Sequence, residues 1–359
     1  MYKKVILITG GCGFIGSHVV RHFVKTYPEY LIINFDALTY AGNLENLKDI
    51  EGEKNYMFLL GDIRDAKKIE NAFVEYKVTD IIHMAAESHV DRSMVNPTIF
   101  AETNVMGTLN LLNISREYWK KDYSYHMFFS MITDEIMGSL SIDDEPFNEK
   151  TPLDPHSPYS TSKTAQYLFG KTYYETYGVP VISLACGNAI GGYQFPEKLV
   201  PLTIDRLLNG QNIPIYGKGE QMRDWTNVID IADAIDVIFH KGEIGELYCI
   251  GGDACRSNID MVHALIDEVS KQTGKDKEEL EKLITFIPDP RGKAHDFRYD
   301  LDHSKITKEL GWKPFYTFND SVRMAVTWYL KHQDWVNNVK TGEYKNWIDS
   351  YYGKEIDKK

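Results

Sequence analysis

The sequence predicts an α/β protein with a Rossmann-type, doubly wound parallel sheet and a smaller C-terminal α/β lobe. Two observations lead to this prediction. The N-terminal half alternates short β-rich runs with helical patterns, and a glycine-rich turn stands between the first run, KVILIT, and an apolar helix. Repeated strand-helix-strand units favour parallel strands joined by right-handed crossovers.

The elements follow one another in a regular order as far as the strand VPVISLAC. The first strand is followed by a helix from Phe14, the strand LIINF and a helix after Arg64. The strand DIIHMA, a helix from about Thr98 and the strand MFFSMI come next. A long helix then runs from Tyr159 to about Tyr177, and the strand VPVISLAC completes the sheet.

The rhythm changes after Tyr193, where Pro and Gly interrupt segments such as YQFPEKLVP between helices such as 258–272. Loop-rich sequence of this kind is typical of a lobe that binds a ligand beside a nucleotide-binding core. We therefore expect a first domain over residues 1–190, a return to it near 223–240, and a second lobe over 191–359.

Composition excludes several classes of protein. The chain has 359 residues, 43% of them hydrophobic and 26% charged, which is ordinary for a folded protein. The formal net charge of -12 argues against a general nucleic-acid surface. No leader or span of about 20 apolar residues is visible, so we expect a cytoplasmic protein without a membrane anchor. The four cysteines and eleven histidines show no metal-ligand spacing, and no metal site is expected.

The turn TGGCGFIGSH carries Gly10, Gly13 and Gly16 directly after the first strand. Glycines at this spacing let the backbone turn tightly and approach a pyrophosphate at a helix N-terminus. Asp36 ends the second strand, where a carboxylate can accept hydrogen bonds from ribose hydroxyls and repel a 2′-phosphate. This favours NAD over NADP, and Asp62 is a candidate acceptor for the adenine amino group. The expected cofactor-binding residues are Gly10, Gly13, Phe14, Ile15, Gly16, Asp36, Asp62, Ile63, Ala85, Tyr159 and Lys163.

Tyr159 and Lys163 stand at i and i+4 in SPYSTSK, which places both on one face of a helix. A neighbouring ammonium favours phenolate, so Tyr159 is a candidate base. The pattern occurs by chance in many helices, and it gains its weight from the preceding nucleotide-binding half. Thr133, Asp134 and Glu135 follow the strand MFFSMI, where an exposed turn is the simple alternative.

These motifs together resemble the extended short-chain dehydrogenase/reductases and, more narrowly, the dTDP-glucose 4,6-dehydratases. The resemblance covers almost the whole chain, and its narrow markers are DALTYAGN and Thr133-Asp134-Glu135. It implies that Tyr159 deprotonates the carbon-4 hydroxyl while NAD takes the hydride, with Thr133 aligning the phenol. Glu135 then removes the acidified carbon-5 proton, Asp134 protonates the departing carbon-6 hydroxyl, and the hydride returns to carbon 6.

The resemblance also implies a nucleoside-diphosphate glucose as substrate and a homodimer. The expected substrate-binding residues are Ser88, Asn188, Glu197, Lys198, Arg223, Arg298 and Tyr299. The dimer is expected to pair the helix of Tyr159 with the helix 98–118, through apolar positions that include Val105, Leu109 and Leu112.

The chain departs from the family's pattern near the expected site. Ile132 and Met137 flank the Thr-Asp-Glu triplet, where the family usually has Ser and Tyr, and RGKAHDFRY is one residue longer than usual. The family usually has CSNNYGPYQFPEKL where this chain has CGNAIGGYQFPEKL, so Ser, Asn, Tyr and Pro are replaced by Gly187, Ala189, Ile190 and Gly192. Three alternatives stay open: a UDP-glucose 4,6-dehydratase, a nucleotide-sugar epimerase, and a catalytically weak NAD-binding sensor or scaffold.

Overall fold

The protein, a computed structural model that describes residues 2–120, 122–290, 292 and 295–340, is built around a parallel β-sheet. Its strands within that range are β1 (Lys4–Thr9), β2 (Tyr30–Asp36), β3 (Tyr56–Leu60), β4 (Asp80–His83), β5 (Met127–Thr133), β6 (Val181–Cys186), β7 (Asn188–Ile190), β8 (Ile213–Tyr216), β9 (Met222–Asn227), β10 (Leu247–Ile250), β11 (Cys255–Ser257) and β12 (Ile284–Ile287). Seven of them form the main sheet, in the order β3-β2-β1-β4-β5-β6-β10.

Helices cover both faces of this sheet and build most of the second lobe. They are α1 (Phe14–Thr26), α2 (Ala66–Tyr76), α3 (Val90–Val95), α4 (Pro97–Phe100), α5 (Thr108–Trp119), α6 (Pro158–Tyr177), α7 (Leu199–Asn209), α8 (Val228–Lys241), α9 (Asn258–Thr273), α10 (Lys277–Glu281), α11 (Ser304–Leu310), α12 (Phe318–Lys331) and α13 (Gln333–Val339). Short 3₁₀ turns occupy Leu44–Leu47 and Asp134–Met137, and a π-helical turn occupies Ala101–Gly107.

The main strands are mostly apolar because helices bury both faces of the sheet. In β1, Ile6 and Ile8 belong to the hydrophobic cluster that packs against α1 and α8, whereas Leu7 belongs to the cluster on the opposite face. All neighbouring strands in the sheet run parallel. The predicted Rossmann-type fold is confirmed.

The strand order reverses direction between β1 and β4, and this reversal positions the site. From β1 the chain proceeds outward to β2 and β3, and it then returns to the other side of β1 as β4. Loops at the carboxyl ends of such strands diverge and leave a crevice between them. Gly10 follows β1 and Ala85 follows β4, so both face this crevice.

The second half of the chain contributes to the first sheet. Helix α8 packs against α1 through Ile231 and Ile235, and β10 pairs with β6. Trp312 also packs into this core. The division of the chain at residue 190 stays a prediction, and residues 341–359 of the expected second lobe lie outside the described part.

A separate hydrophobic cluster holds the second lobe together. Helices α7, α9 and α12 supply Ile204, Leu265 and Val326 to it, all fully buried. A three-stranded sheet (β11-β9-β7) and a parallel pair (β12-β8) complete the lobe. This arrangement provides the smaller C-terminal α/β unit that the sequence predicts.

The helix expected from about Thr98 is interrupted by the π-helical turn between α4 and α5. Within that turn, the Asn104 side chain donates to the Glu87 carbonyl and to Ser162 Oγ, and it accepts the Glu87 N–H. The wider turn therefore ties the loop after β4 to α6. Among the described residues, none of the helices combines the length and apolar character needed to span a membrane.

Candidate active site

The glycine-rich turn brings the backbone of β1 against that of the loop after β4. Gly10 has φ +74°, and a Cβ built on it would lie 2.7 Å from the backbone of Ala85. A Cβ on Gly16 would collide with the Gly10 carbonyl oxygen, and one on Gly13 would lie 3.3 Å from the same atom. Side chains at Gly10 and Gly16 are therefore excluded by close approach of the backbone.

Helix α1 begins at Phe14 without a side-chain cap. Its first residues, Phe14, Ile15 and Gly16, line a cavity of about 350 Å³ in the crevice. Backbone N–H groups in the first turn of a helix have no partner within the helix, and together with the helix dipole they favour an anion such as a pyrophosphate. The uncapped N-terminus and the glycine cradle thus fit a dinucleotide.

Asp36 is held in place by two backbone hydrogen bonds at the end of β2. Its Oδ1 accepts the N–H of Leu38 at 2.8 Å, and its Oδ2 accepts the N–H of Cys12 at 2.9 Å. Burial raises the pKa of this carboxyl, and the two backbone donors partly offset that effect. Each oxygen retains a second lone pair, so the fixed carboxylate can still accept hydrogen bonds from two ribose hydroxyls.

Asp62 and Ile63 also line the cavity, but Asp62 has a partner that sequence reasoning missed. The Arg64 guanidinium binds both of its carboxylate oxygens, with Nη2 at 2.6 Å from Oδ2. Ile63 packs against Gly107, where a Cβ would lie 2.6 Å from the Ile63 side chain. Arg64 lies only two residues beyond Asp62, yet the sequence does not show that its side chain folds back.

A second cavity of about 200 Å³ adjoins the first and shares Ser88, Glu135, Asn188, Glu197 and Lys198 with it. All the predicted site residues line the first cavity except Arg223, Arg298 and Tyr299. Arg223 and Tyr299 line only the second cavity. Arg298 lines neither of the two.

The Thr-Asp-Glu triplet is formed where β5 ends and a 3₁₀ turn begins. Thr133 Oγ1 donates to Asp134 Oδ1 at 3.0 Å and accepts the Glu135 N–H at 3.3 Å. Asp134 is buried, and its other oxygen, Oδ2, accepts no hydrogen bond among the described residues. Thr133 and Asp134 are therefore buried and Glu135 is half-buried in the cavity wall, and the triplet is not an exposed turn.

Burial raises the pKa of both carboxyl groups. The pKa of Asp134 rises to about 7, partly offset by the Thr133 hydrogen bond, and that of Glu135 rises to about 8, with a further contribution from the charge of Asp134. Two close carboxyls share protons as a unit, so near neutral pH one can be neutral while the other is charged. The expected roles need the proton on Asp134 and the negative charge on Glu135.

Tyr159 and Lys163 lie in the first turns of α6, which Ser157 begins with a capping box to Ser160. Lys163 Nζ donates to the Met131 carbonyl at 2.7 Å and to Gln166 Oε1 at 2.6 Å. Burial lowers the pKa of Lys163 to about 7.

The sequence suggested that the neighbouring ammonium favours the Tyr159 phenolate. In the ligand-free structure, burial and the charge of Glu135 instead raise the pKa of Tyr159 well above its ordinary value. A buried phenolate is costly unless cations surround it, and the Lys163 ammonium is anchored to other groups. The phenol is therefore protonated before ligands bind.

The sugar-side residues meet at the junction of the two cavities. Lys198 Nζ donates to the Ser88 carbonyl at 3.3 Å, and Glu197 is 5% exposed. Asn188 begins β7 and lines both cavities. These residues come from both halves of the chain, so the junction exists only in the folded protein.

Arg223 and Tyr299 form a stacked pair in the second cavity. The guanidinium lies 4.2 Å from the centroid of the Tyr299 ring and donates to the backbone carbonyls of Phe297 and Asp296. The Tyr299 hydroxyl donates to Asp296 Oδ2 at 2.6 Å. Asp296 thus holds the pair in place, a role that no local sequence pattern indicates.

Arg298 is placed differently from the expectation that it binds phosphate. Its guanidinium donates to the carbonyls of Ser141, Ile142 and Asp144, and it pairs with Asp300 at 2.5 Å. These four partners satisfy a buried guanidinium without a ligand. Adjacent side chains in an extended segment point in opposite directions, which is why Tyr299 faces the cavity and Arg298 does not.

Some residues that depart from the family's pattern pack inside the protein, and others line the first cavity. Met137 and Ile190 are buried in hydrophobic clusters, and they line neither of the two cavities. A Cβ on Gly192 would lie 2.5 Å from the Trp328 ring. The remaining departures, at Ile132, Gly187 and Ala189, line the first cavity. The longer RGKAHDFRY segment includes positions 291, 293 and 294, which lie outside the described residues.

Comparisons with known proteins show which family this chain resembles. The family model described as GDP-mannose 4,6 dehydratase matches residues 7–325. A dTDP-glucose 4,6-dehydratase of Salmonella typhimurium is 44% identical over 97% of this chain and 98% of its own length. A dTDP-glucose 4,6-dehydratase of Neisseria meningitidis is 42% identical over 95% of this chain and 98% of its own length.

Solved structures show the same relationship. A dTDP-glucose 4,6-dehydratase of Streptomyces venezuelae, with NAD and dTDP bound, has a TM-score of 0.86 and 37% identity, covering 94% of this chain and 100% of that one. A UDP-glucose 4-epimerase of Thermus thermophilus in complex with NAD has a TM-score of 0.79 and 27% identity, covering 91% and 99%. The chain belongs to the dTDP-glucose 4,6-dehydratase family, because its sequence is 42% to 44% identical to those two relatives over nearly the full length of each chain.

Proposed function

We propose that the protein is an NAD-dependent dTDP-glucose 4,6-dehydratase, a hydro-lyase that converts dTDP-glucose to dTDP-4-keto-6-deoxyglucose. The observation that carries the proposal is the meeting of Tyr159, Asp134 and Glu135 on the wall of a cavity that also contains the glycine cradle. Oxidation, elimination and reduction need a hydride carrier and three proton-transfer groups at one sugar. This cavity offers a place for each.

NAD fits the residues of the first cavity. The cradle of Gly10 and Gly16 admits a pyrophosphate, and the fixed Asp36 carboxylate suits an unphosphorylated ribose. When bound, NAD accepts the hydride from carbon 4 and returns it to carbon 6. Because the cofactor ends each cycle unchanged, it is retained rather than exchanged between turnovers.

Tyr159 is the proposed base for the carbon-4 hydroxyl. Its raised pKa in the ligand-free protein means that it becomes an effective base only when positive charge enters the cavity. Hydrogen bonds to Met131 and Gln166 fix the Lys163 amine, which lies on the same helix as Tyr159 and supplies positive charge when it is protonated. Thr133 stands beside both Tyr159 and Asp134, and in this proposal it aligns the phenol.

Asp134 and Glu135 are proposed to divide the elimination between them. Glu135 removes the carbon-5 proton, and Asp134 gives a proton to the departing carbon-6 hydroxyl, which leaves as water. Glu135 then returns a proton to carbon 5 once the hydride has reached carbon 6. The buried, proton-sharing pair supports the proposal that one carboxyl is neutral while the other is charged. The cations Lys198 and Arg223 lower the pKa of Glu135 and so favour its basic form.

The second cavity is the proposed location of the nucleotide end of the substrate. Lys198 and Arg223 offer positive charge to the diphosphate, while Ser88 and Asn188 lie at the junction with the sugar. The names of the relatives favour dTDP over UDP. UDP-glucose remains the second candidate substrate. The RGKAHDFRY segment, one residue longer than usual in the family, borders the proposed nucleotide cavity through His295.

A homodimer is also proposed. Leu112 is wrong as a contact residue, because it is fully buried in the chain's own core, whereas Val105 and Leu109 are partly exposed. Met106 in the π-helical turn is 55% exposed and Leu168 in α6 is 45% exposed, and such apolar positions support pairing through these helices. A light-scattering mass near one chain, 41.3 kDa, at micromolar concentration would contradict the dimer. The cytoplasmic location stays a prediction.

The test is incubation of the purified protein with dTDP-glucose and, separately, with UDP-glucose. A 4-keto-6-deoxy product gains ultraviolet absorbance in alkali, whereas a 4-epimer does not. We expect the absorbance to increase rapidly with dTDP-glucose and more slowly with UDP-glucose. Epimerisation without dehydration would favour the epimerase, and binding without turnover of either substrate would favour a sensor.

A further inference from the structure

Tyr40 joins the cofactor side of the site to the sugar side. It lies in the loop that follows Asp36, and its hydroxyl donates to Glu197 Oε1 at 3.2 Å. Glu197 lies 157 positions later in the chain and lines both cavities. One hydrogen bond therefore connects the loop expected to hold the ribose with a carboxylate at the sugar junction.

The Tyr40 ring is fixed by contacts on two sides. The Arg92 guanidinium lies 3.7 Å from the ring centroid, and the Phe195 ring meets it edge-on at 5.5 Å and 88°. Burial and the neighbouring Glu197 carboxylate raise the pKa of Tyr40 well above its ordinary value. The phenol thus stays protonated, and it donates from a fixed position.

Glu197 has one oxygen satisfied and one available. Oε1 accepts from Tyr40, while Oε2 is buried and accepts no hydrogen bond among the described residues, with His89 Nε2 at 3.9 Å. Leaving a buried carboxylate oxygen without a donor costs free energy. A hydroxyl group of a ligand in the adjoining cavity would supply that donor.

We propose that Tyr40 is a positioning residue for sugar recognition, which holds Glu197 so that Oε2 accepts a hydrogen bond from a hexose hydroxyl. The inference rests on the proposed function, because it takes the ligand to be a nucleoside-diphosphate hexose. Tyr40 touches neither reacting carbon in this scheme. It acts by restricting the Glu197 carboxylate to one orientation, which removes part of the entropic cost of binding the sugar.

The direct test removes only the Tyr40 hydroxyl. Tyr40→Phe keeps the ring between Arg92 and Phe195, so the loop should keep its packing. Calorimetry on NAD-loaded protein that also carries Tyr159→Phe, so that dTDP-glucose is not converted, would measure the Kd for dTDP-glucose and for dTDP, which lacks the sugar. We expect about tenfold weaker binding of dTDP-glucose, the usual scale for a lost hydrogen bond to a charged group, and unchanged binding of dTDP.

The same variant should raise KM with a much smaller change in kcat, because the lost interaction is made in both the ground state and the transition state. Tyr125→Phe is the matched control, since Tyr125 is 76% exposed and removal of its hydroxyl should leave both Kd values unchanged. A purely structural role for Tyr40 would weaken dTDP, dTDP-glucose and NAD alike, and that result would overturn the inference.

A double-mutant cycle tests whether Tyr40 acts through Glu197. Glu197→Gln should itself weaken dTDP-glucose selectively, and adding Tyr40→Phe should then have almost no further effect. Full additivity of the two changes would overturn the inference. If wild-type protein neither binds nor converts dTDP-glucose, the proposed function fails; if it does both and Tyr40→Phe is neutral, only this inference fails.

Discussion

Gly187 lies against the unsatisfied oxygen of Asp134. A Cβ built on Gly187 would stand 3.3 Å from Asp134 Oδ2 and 3.2 Å from the carbonyl oxygen of Asp224. The expected family residue at position 187 is Ser. Burial raises the pKa of Asp134 to about 7, and a hydroxyl at position 187 that donated to Oδ2 would lower it.

Gly187→Ser should move the pH profile of kcat/KM toward lower pH. A hydroxyl that donates to Oδ2 stabilises the charged form of Asp134, so the group loses its proton at a lower pH and stops acting as an acid sooner. Gly187→Ala adds the same Cβ without the hydroxyl and should leave the profile in place. Equal shifts in both variants would attribute the effect to crowding.

Tyr159→Phe should nearly abolish turnover while the protein stays folded and keeps NAD. The phenol oxygen is needed to take the carbon-4 proton, whereas the ring itself packs beside Phe100 and can do so without the hydroxyl. Single-turnover absorbance of NADH would report the loss. Substantial activity of the Phe variant across pH would show that another group is the base.

Asp134→Asn and Glu135→Gln should separate the two steps of elimination. Asp134→Asn loses the proton donor but leaves Glu135 able to exchange the carbon-5 proton, so substrate recovered from deuterated water should carry deuterium at carbon 5. Glu135→Gln should prevent that exchange. Mass spectrometry of the recovered sugar nucleotide provides the measurement.

The outcome of this isotope experiment also shows which carboxyl of the proton-sharing pair acts as the base. The reverse labelling pattern would mean that the two carboxyls have exchanged roles. Rapid product formation by both variants would contradict a dehydration mechanism based on this pair.

Asp236→Asn should destabilise the contact between α1 and α8, away from the active site. Burial raises the pKa of Asp236, but hydrogen bonds from His22, His240 and Tyr27 outweigh it and hold the pKa well below its ordinary value. A depressed pKa contributes stability above the unfolded-state value of about 3.9 and loses it as pH falls toward the folded-state value.

Urea unfolding should therefore show a loss of about 2 kcal/mol at pH 7, and the difference from wild type should shrink below about pH 4. Asp233→Asn is the control, because Asp233 is an exposed residue on the same helix. A difference that stays constant down to low pH would show that the carboxylate charge is not responsible.

The sequence by itself determined the parts of the site that are local. Gly10 and Gly16 are required by one tight turn, Asp36 follows from its distance beyond that turn, and Tyr159 and Lys163 share a face because a helix repeats every 3.6 residues. These relations hold within single elements. They were predictable because backbone geometry fixes them without reference to the rest of the chain.

Only the tertiary structure decided which distant segments meet and how deeply they are buried. Tyr40 donates a hydrogen bond to Glu197, 157 positions later in the chain. Arg298 donates to backbone carbonyls, whereas its neighbour Tyr299 lines a cavity. Burial raises the pKa of Tyr159, whereas the neighbouring Lys163 predicted a lower one. Packing of layers sets both the partners and the desolvation of a side chain, and neither quantity is encoded in the spacing of residues along the chain.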